Sequence, residues 1–569
     1  MTTDTEPDKT TSPRAQSPSK EAAIHENSKE TELKKKPTKD DPFGSDRAGV
    51  DDADVVYPNG WKVATIIISL CLSVFLVALD QTIIAPALGA ITTEYGSVKD
   101  IGWYGAAYLL TTTALQPLYG SLYRMFSVKW TFLTAIFLFE IGSLICAVAP
   151  SSEVFIFGRA IAGVGTAGLF SGGIVVLSYT LPLRKRPAVF GLIGAMWGIA
   201  SVAGPLLGGV FTDHITWRWC FYINLPIGGA AMVAIFLVLH IDQKRDDLTV
   251  LQRILRLDLP GTAMIIPAVV CLLLALQWGG TEHPWNSSVI IGLFVGFGLM
   301  LIIFIGIQIW KGDHGTLPPR LFKNKDVVCA MLFAFFFGAG FFPLVYYLSL
   351  YFQAIMGDTA VQAGIKLLPM LIAVVITSVL SGGLITLVGY YNPFILPSMV
   401  LFAVGSGLIT TFSLDSPLRI WFGYQVITGL GIGVGFQTGV LVIQNNVSHE
   451  WIPQATACVQ FFQALGGAIF IAVAQAVFQN GLTDGIAKSA PGLDAMILIH
   501  SGASEIPKVL EMIGASNLLT EVLTAYLDGL RNSFFITVAC ACAAFVAACG
   551  LSWKKIQKKK DGEPAVAMA

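Results

Sequence analysis

Residues 63–91 read VATIIISLCLSVFLVALDQTIIAPALGAI, an apolar run broken by a single ionisable side chain, Asp80. An α-helix rises about 1.5 Å per residue, so about 20 such residues cross the ~30 Å hydrocarbon core of a bilayer. Lipid offers no partner to backbone N–H and C=O groups, so a run of this kind is expected as a membrane-spanning helix. A carboxylate inside it is costly and rare, which makes Asp80 a functional candidate at once.

Further apolar runs follow at 103–123, 130–149, 154–180, 188–211, 219–240, 260–278, 289–310, 328–352, 363–388, 394–413, 418–443, 455–478 and 532–552. With the first they predict fourteen spans, grouped as six, two and six. Composition agrees: 54% of the 569 residues are hydrophobic and 13% are charged, about half the globular share of ~25%. The 57 glycines suit helices that pack closely in a membrane. A net charge of −1 gives no field for nucleic acid. All nine cysteines lie in apolar runs with no CxxC pair, so they read as small buried hydrophobes and not as metal ligands or disulfides.

The expected organisation begins with a polar cytoplasmic tail over 1–61, which has too little apolar surface to offset the entropy of ordering. A six-helix bundle over 62–240 follows, then a linker over 241–311 with two extra transmembrane helices. A second six-helix bundle covers 312–552, with a long external loop at 479–531, and a basic cytoplasmic tail covers 553–569. Arg124, Lys129, Arg184, Lys185, Arg186, Arg320, Lys554 and Lys555 fall on one side of such a chain. The positive-inside rule puts that side, and both termini, in the cytoplasm. Asn286-Ser287-Ser288 forms a glycosylation sequon in a short external loop.

Two more ionisable groups stand inside spans, Glu140 in the third and Arg159 in the fourth. Asp80 and Arg159 are expected to meet in the interior of the first bundle. Two roles fit such a pair: a carboxylate that binds and releases a proton while Arg159 competes for it, or a static ion pair that fixes helix packing. Glu140 reads either as a second protonation site or as a structural acid bonded to a neighbour. The second half holds amides instead, among them Gln353, Gln437 and Gln463. These are candidates for hydrogen bonding to a substrate, with Tyr108 and Trp197 as aromatic cavity residues; interhelical amide pairing is the alternative.

The fifth span carries Gly194, Gly198, Gly204, Pro205, Gly208 and Gly209. The glycines allow close backbone approach, and Pro205 removes a hydrogen bond and bends the helix. This string resembles the antiporter motif of drug exporters in the major facilitator superfamily. Leu79-Asp80-Gln81-Thr82 resembles the first-span motif of the fourteen-helix drug/H⁺ antiporters. Gly158-Arg159 through Gly168 resembles their fourth-span motif, whose arginine is implicated in proton transfer. The stretch from Trp217 to Gly228 is similar to the same branch. Gly120 through Lys129 resembles the gating motif after the second span, with Tyr123 in place of the usual Asp and Ser127 in place of the usual Gly; Gly120, Arg124 and Lys129 remain as the candidate cytoplasmic gate.

The resemblance covers about residues 62–552. It implies an all-α membrane protein of the major facilitator fold, two six-helix bundles plus two extra central helices. It further implies a monomeric rocker-switch carrier that exchanges protons for a small amphipathic molecule and uses no cofactor. The polar extension and the long late loop are similar to fungal members, which export toxins, other secondary metabolites or antifungal drugs from the plasma membrane or into the vacuole. An H⁺-coupled importer of a siderophore or nutrient is the alternative on the same fold. The dipeptide Gly-Lys never occurs, which excludes a Walker A pump. His449-Glu450-Trp451-Ile452-Pro453 is not a metalloprotease HExxH, and no enzyme signature replaces it.

Overall fold

The computed structural model describes residues 58, 60–97, 100–241, 249–280, 282–490, 493 and 506–556. Almost all of the expected N-terminal tail, the basic tail beyond residue 556 and part of the late loop lie outside the described residues, as does the side chain of Gln437.

Helices α1 (Trp61–Thr82) and α2 (Ile84–Tyr95) form the first span. They are followed by α3 (Ile101–Met125), α4 (Val128–Val148), α5 (Ser152–Thr180), α6 (Arg186–His214), and α7 (Trp219–Tyr222) with α8 (Asn224–Val238). A short α9 (Val250–Arg256) leads into a hairpin of α10 (Leu259–Trp278) and α11 (Ser288–Lys311). After α12 (Pro319–Phe322) come α13 (Lys325–Ala354), α14 (Ala360–Lys366) with α15 (Leu368–Val388), α16 (Asn392–Ile409), α17 (Leu418–Asn446), α18 (Ile452–Ser489), α19 (Ile506–Met512) and α20 (Leu519–Cys549).

Thirteen of these segments are both long and apolar enough to cross a membrane. The second span, α3, has 25 residues but is diluted by Thr111, Thr112, Thr113 and Gln116. Two of those hydroxyls are used inside the protein: Thr111 Oγ1 donates to the Ala160 carbonyl at 2.9 Å and Thr112 Oγ1 to the Gly163 carbonyl at 3.1 Å. The first span breaks at Ile83 because Pro86 has no N–H for the Thr82 carbonyl.

Bundle one pairs α4 with α5, α3 with α5, and α1 with α6 and α8; bundle two pairs α13 with α18 and α20, and α17 with α15 and α16. The two most extensive contacts between the bundles are α6 along α15 and α3 along α18; α5 with α18 and α6 with α17 and α14 add smaller ones. The α10–α11 hairpin lies outside the α3–α18 contact, with α10 touching both α3 and α18. Within the segment expected as an external loop over 479–531, the described residues are largely helix: α18 runs on to Ser489, α19 covers Ile506–Met512 and α20 begins at Leu519. Gly481 and Gly485 let the extension of α18 lie against Gly529 and Ala525 of α20, which buries Leu482 and Ile486.

Candidate functional site

Asp80 and Arg159 meet. Arg159 Nη1 donates to Asp80 Oδ2 at 2.6 Å, and the residues are 0% and 1% exposed. The guanidinium is held on two more sides: Nε donates to the Tyr104 carbonyl at 2.9 Å, and the Tyr108 ring lies below Cζ at 4.4 Å. The Tyr108 hydroxyl accepts from Thr166 Oγ1 at 2.8 Å. The other carboxylate oxygen of Asp80 accepts from Asn224 Nδ2 at 3.2 Å, and the same amide nitrogen lies 3.1 Å from Ser143 Oγ. Helices α1, α3, α4, α5 and α8 thus converge on one carboxylate. Desolvating two ions is offset only when geometry is good and remaining hydrogen-bond sites are filled, and here both oxygens are filled.

Glu140 stands one helical turn from Ser143 on α4, buried against Gly228 of α8 and Leu76 of α1. Neither carboxyl oxygen has a hydrogen-bond partner among the described residues. Tyr108, expected in a substrate cavity, belongs to this ionic cluster. Gln353 lies in the last turn of α13 and its amide turns back on Ser349 Oγ at 3.2 Å, so it serves its own helix. Gln463 is buried with its backbone against Gly338 of α13. Asn286 is exposed in the turn between α10 and α11.

The glycine string of α6 has two faces. A side chain at Gly204 would collide with Thr82, and one at Gly208 with the Ile83 carbonyl, so these two lie on the α1 break two to three residues past Asp80. Thr82 Oγ1 also donates to the Ala200 carbonyl of α6 at 3.2 Å. A side chain at Gly191 would collide with the Ser378 carbonyl of α15, and one at Gly198 with the Val375 side chain. One helix therefore touches the ion-pair span with its later glycines and the opposite bundle with its earlier ones. A side chain at Gly209 would only touch Val361 of α14, and one at Gly364 of α14 would only touch Pro205, each at an ordinary 3.7 Å. Trp197, next to Gly198 in the earlier set, packs on Phe341, Phe342 and Phe436 of the second bundle at ring-centroid distances of 6.0, 6.5 and 5.8 Å.

Arg124, Arg184, Arg186 and Arg320 gather at the end where the chain enters α1. At this basic end α3 and α18 are in backbone contact, since a side chain at Gly120 would meet Ala457 Cβ at 2.7 Å and Gln454 Cα at 3.1 Å. Arg124 seals the contact: Nε donates to Glu450 Oε1 at 3.2 Å, Nη1 to Gln454 Oε1 at 3.0 Å and to the Asp313 carbonyl at 3.1 Å, and Cζ lies 3.7 Å from the Trp451 ring centroid. Lys129 is not part of this seal. It donates to the Phe236 carbonyl at 2.6 Å and ties α4 to the end of α8 within one bundle. A second clasp is Arg186, whose Nη1 donates to Gln444 Oε1 of α17 at 3.0 Å.

Sequence reasoning missed Asn224, Glu450, Gln454 and Gln444 as partners. Asn224 had a readable signal, an amide in an apolar run. The others are polar residues at helix ends, where polarity is ordinary.

Residues 70–471 match the Major Facilitator Superfamily family description. A curated relative, the MFS-type efflux pump MFS1 of Arthroderma benhamiae, is 46% identical over 92% of this chain and 97% of its own length. The rubrofusarin-specific efflux pump aurT of Gibberella zeae is 44% identical over 88% and 91%, and the efflux pump aflT of Aspergillus parasiticus 43% identical over 88% and 98%. Among solved structures, the human organic anion transporter MFSD10 aligns with a TM-score of 0.56 at 14% identity over 85% of this chain and 99% of that one. The proton:xylose symporter XylE aligns at 0.55, with 14% identity over 86% and 95%. With the family description spanning most of its helices and relatives this similar along nearly their whole length, the chain belongs to the major facilitator superfamily.

Proposed function

We propose that this chain is a proton-coupled exporter of small amphipathic molecules, of the class of fungal secondary metabolites, toxins or antifungal drugs, working as a monomer at the plasma membrane with its basic end in the cytoplasm. The observation that carries the reading is the position of Asp80: clamped by Arg159 and Asn224, and two to three residues from the α1 break on which α6 packs.

A proton on Asp80 removes the charge opposite Arg159, and the attraction that closes the 2.6 Å pair goes with it. The guanidinium then rests on the Tyr104 carbonyl and the Tyr108 ring. Any shift of the α1 break reaches Gly204 and Gly208, and α6 carries it to α15 through Gly191 and Gly198. Substrate meets the interface beside this lever, where Trp197 faces three phenylalanines, an apolar and aromatic wall suited to amphipathic cargo. The Arg124–Glu450 seal closes the cytoplasmic end between cycles. Relatives named as efflux pumps support export over import.

The test is transport in reconstituted vesicles with an imposed pH difference. The parent protein should move a fluorescent amphipathic cargo against its gradient. Asp80→Asn, inserted and folded, should only equilibrate it. Uphill transport that persists in Asp80→Asn removes Asp80 from the coupling; uptake in place of export in intact cells favours the importer.

A further inference from the structure

The two extra helices meet the gate at one point. Asp258, just before α10, is 2% exposed, and its carboxylate gathers four hydrogen bonds. Oδ1 accepts from Gly261 N at 2.9 Å, and Oδ2 accepts from Gln308 Nε2 at 2.6 Å, Thr316 N at 3.0 Å and Thr316 Oγ1 at 3.1 Å. Lys311 Nζ stands 3.8 Å from Oδ1. Gln308 of α11 closes the ring by accepting from Leu317 N at 2.9 Å through Oε1. Two glycines make room: a side chain at Gly261 would strike Asp258 Oδ2 and Gln308 Nε2, and one at Gly315 would strike Gln308 Oε1.

What the ring fixes is the turn 312–317, and that turn feeds the seal. The Asp313 carbonyl accepts from Arg124 Nη1 at 3.1 Å, and the Gly315 carbonyl accepts from Gln454 Nε2 at 2.9 Å. Gln454 Nε2 also lies 3.2 Å from Ser121 Oγ, so the turn, α3 and α18 share one amide. Arg124 and Gln454 belong to opposite bundles, and the turn belongs to neither bundle interior.

We propose that Asp258 and Gln308 are positioning residues of the cytoplasmic gate, and that the α10–α11 hairpin holds the 312–317 turn as a third wall of the closed state. A buried carboxylate with filled acceptor sites is a rigid anchor, and a turn fixed at both ends loses little entropy when its carbonyls receive Arg124 and Gln454. Opening the basic end breaks those two bonds and leaves the hairpin behind. The hairpin thereby sets how strongly the closed state is favoured, by about two- to tenfold for each hydrogen bond. This holds whether or not Asp80 is the proton carrier.

The test places a reporter thiol, Ser121→Cys, beside the seal in the full chain, and labels inside-out vesicles with a membrane-impermeant maleimide against the native cysteines as background. Asp258→Asn and Gln308→Ala, each added to that reporter, should raise the labelling rate about two- to tenfold. Each should also lower turnover more than it changes KM, and Gln308→Glu should restore less than Gln308 itself because it lacks the N–H donor. Labelling and turnover unchanged from the reporter alone, in a variant that keeps the parent unfolding temperature, would overturn the proposal. If Asp258→Asn does not fold, Gln308→Ala and Gly315→Ala strike the same turn from the other side and decide it.

Discussion

In the first bundle Gly142 of α4 lies on Ala162 of α5, and Gly165 of α5 lies on Phe139 of α4. In the second, Gly405 of α16 lies on Thr428 of α17, and Gly431 of α17 lies on Phe402 of α16. The third and fourth spans of one bundle thus cross as the eleventh and twelfth cross in the other. The interiors then part company. The first encloses Asp80, Arg159 and Glu140, whereas the second encloses packed aromatic rings, with Phe337, Phe341, Phe402 and Phe436 all within 6.3 Å of a neighbour. One scaffold has been given two jobs, and the difference lies in what the helices carry inward rather than in how they cross. The ionised side chains deepest in the spans sit in the first half, and the packed rings sit in the second.

That contrast can be broken most severely at Arg159. Arg159→Ala leaves Asp80 buried without its counter-charge, and removing one partner of a buried pair costs about 3–5 kcal/mol. A thermal unfolding series should show that loss, and Asp80→Asn added to it should recover most of the stability but none of the coupled transport. A single Arg159→Ala protein as stable as its parent would mean that the pair is no more demanding than the rings of the second bundle. Gly191→Val comes next, because its side chain meets the Ser378 carbonyl across the bundle contact. Overpacking of this kind costs about 1–3 kcal/mol, and transport should fall further than stability does, since the contact must slide in each cycle.

Trp197→Ala sharpens the contrast from the other side. It removes the ring offered to a cargo and, at about 0.5–1.5 kcal/mol for one aromatic pair between that ring and an aromatic cargo, should raise KM by about two- to tenfold with little effect on the pH dependence of efflux. The smallest effect is expected at Glu94, whose carboxylate pairs with Arg218 Nη2 at 2.7 Å while both side chains stay partly exposed, at 44% and 25%. Glu94→Gln should cost no more than about 1 kcal/mol, measured in the same unfolding series. Set beside Arg159→Ala, it separates burial from mere pairing as the source of the ion pair's weight.

Much of the fold was legible before any coordinates. Fourteen apolar runs in a six, two, six order are a direct consequence of bilayer thickness and of backbone hydrogen bonding in lipid. The second span was legible by length, although its threonines make it the least apolar. The helical extension of α18 into the late loop was not legible because Gly481, Leu482, Gly485 and Ile486 look unremarkable in sequence, and their packing on α20 shows only in the fold. Asp80 and Arg159 could be paired from sequence because opposite charges this rare inside a membrane have few other partners. Lys129 could not be separated from Arg124 on the same basis, since basic residues at helix ends are common and many carbonyls will accept them.

Sequence by itself determined the class of the molecule, the number of its spans and the two residues whose charges must cancel, because lipid leaves a chain almost no freedom in those matters. Tertiary structure alone decided which face of α6 each glycine serves, that Arg124 reaches Glu450, Gln454 and the Asp313 carbonyl, and that Asp258 organises a turn remote in sequence from both. At those places many neighbours lie within reach of each residue and no single residue type announces its partner; only the relative placement of packed helices selects among them.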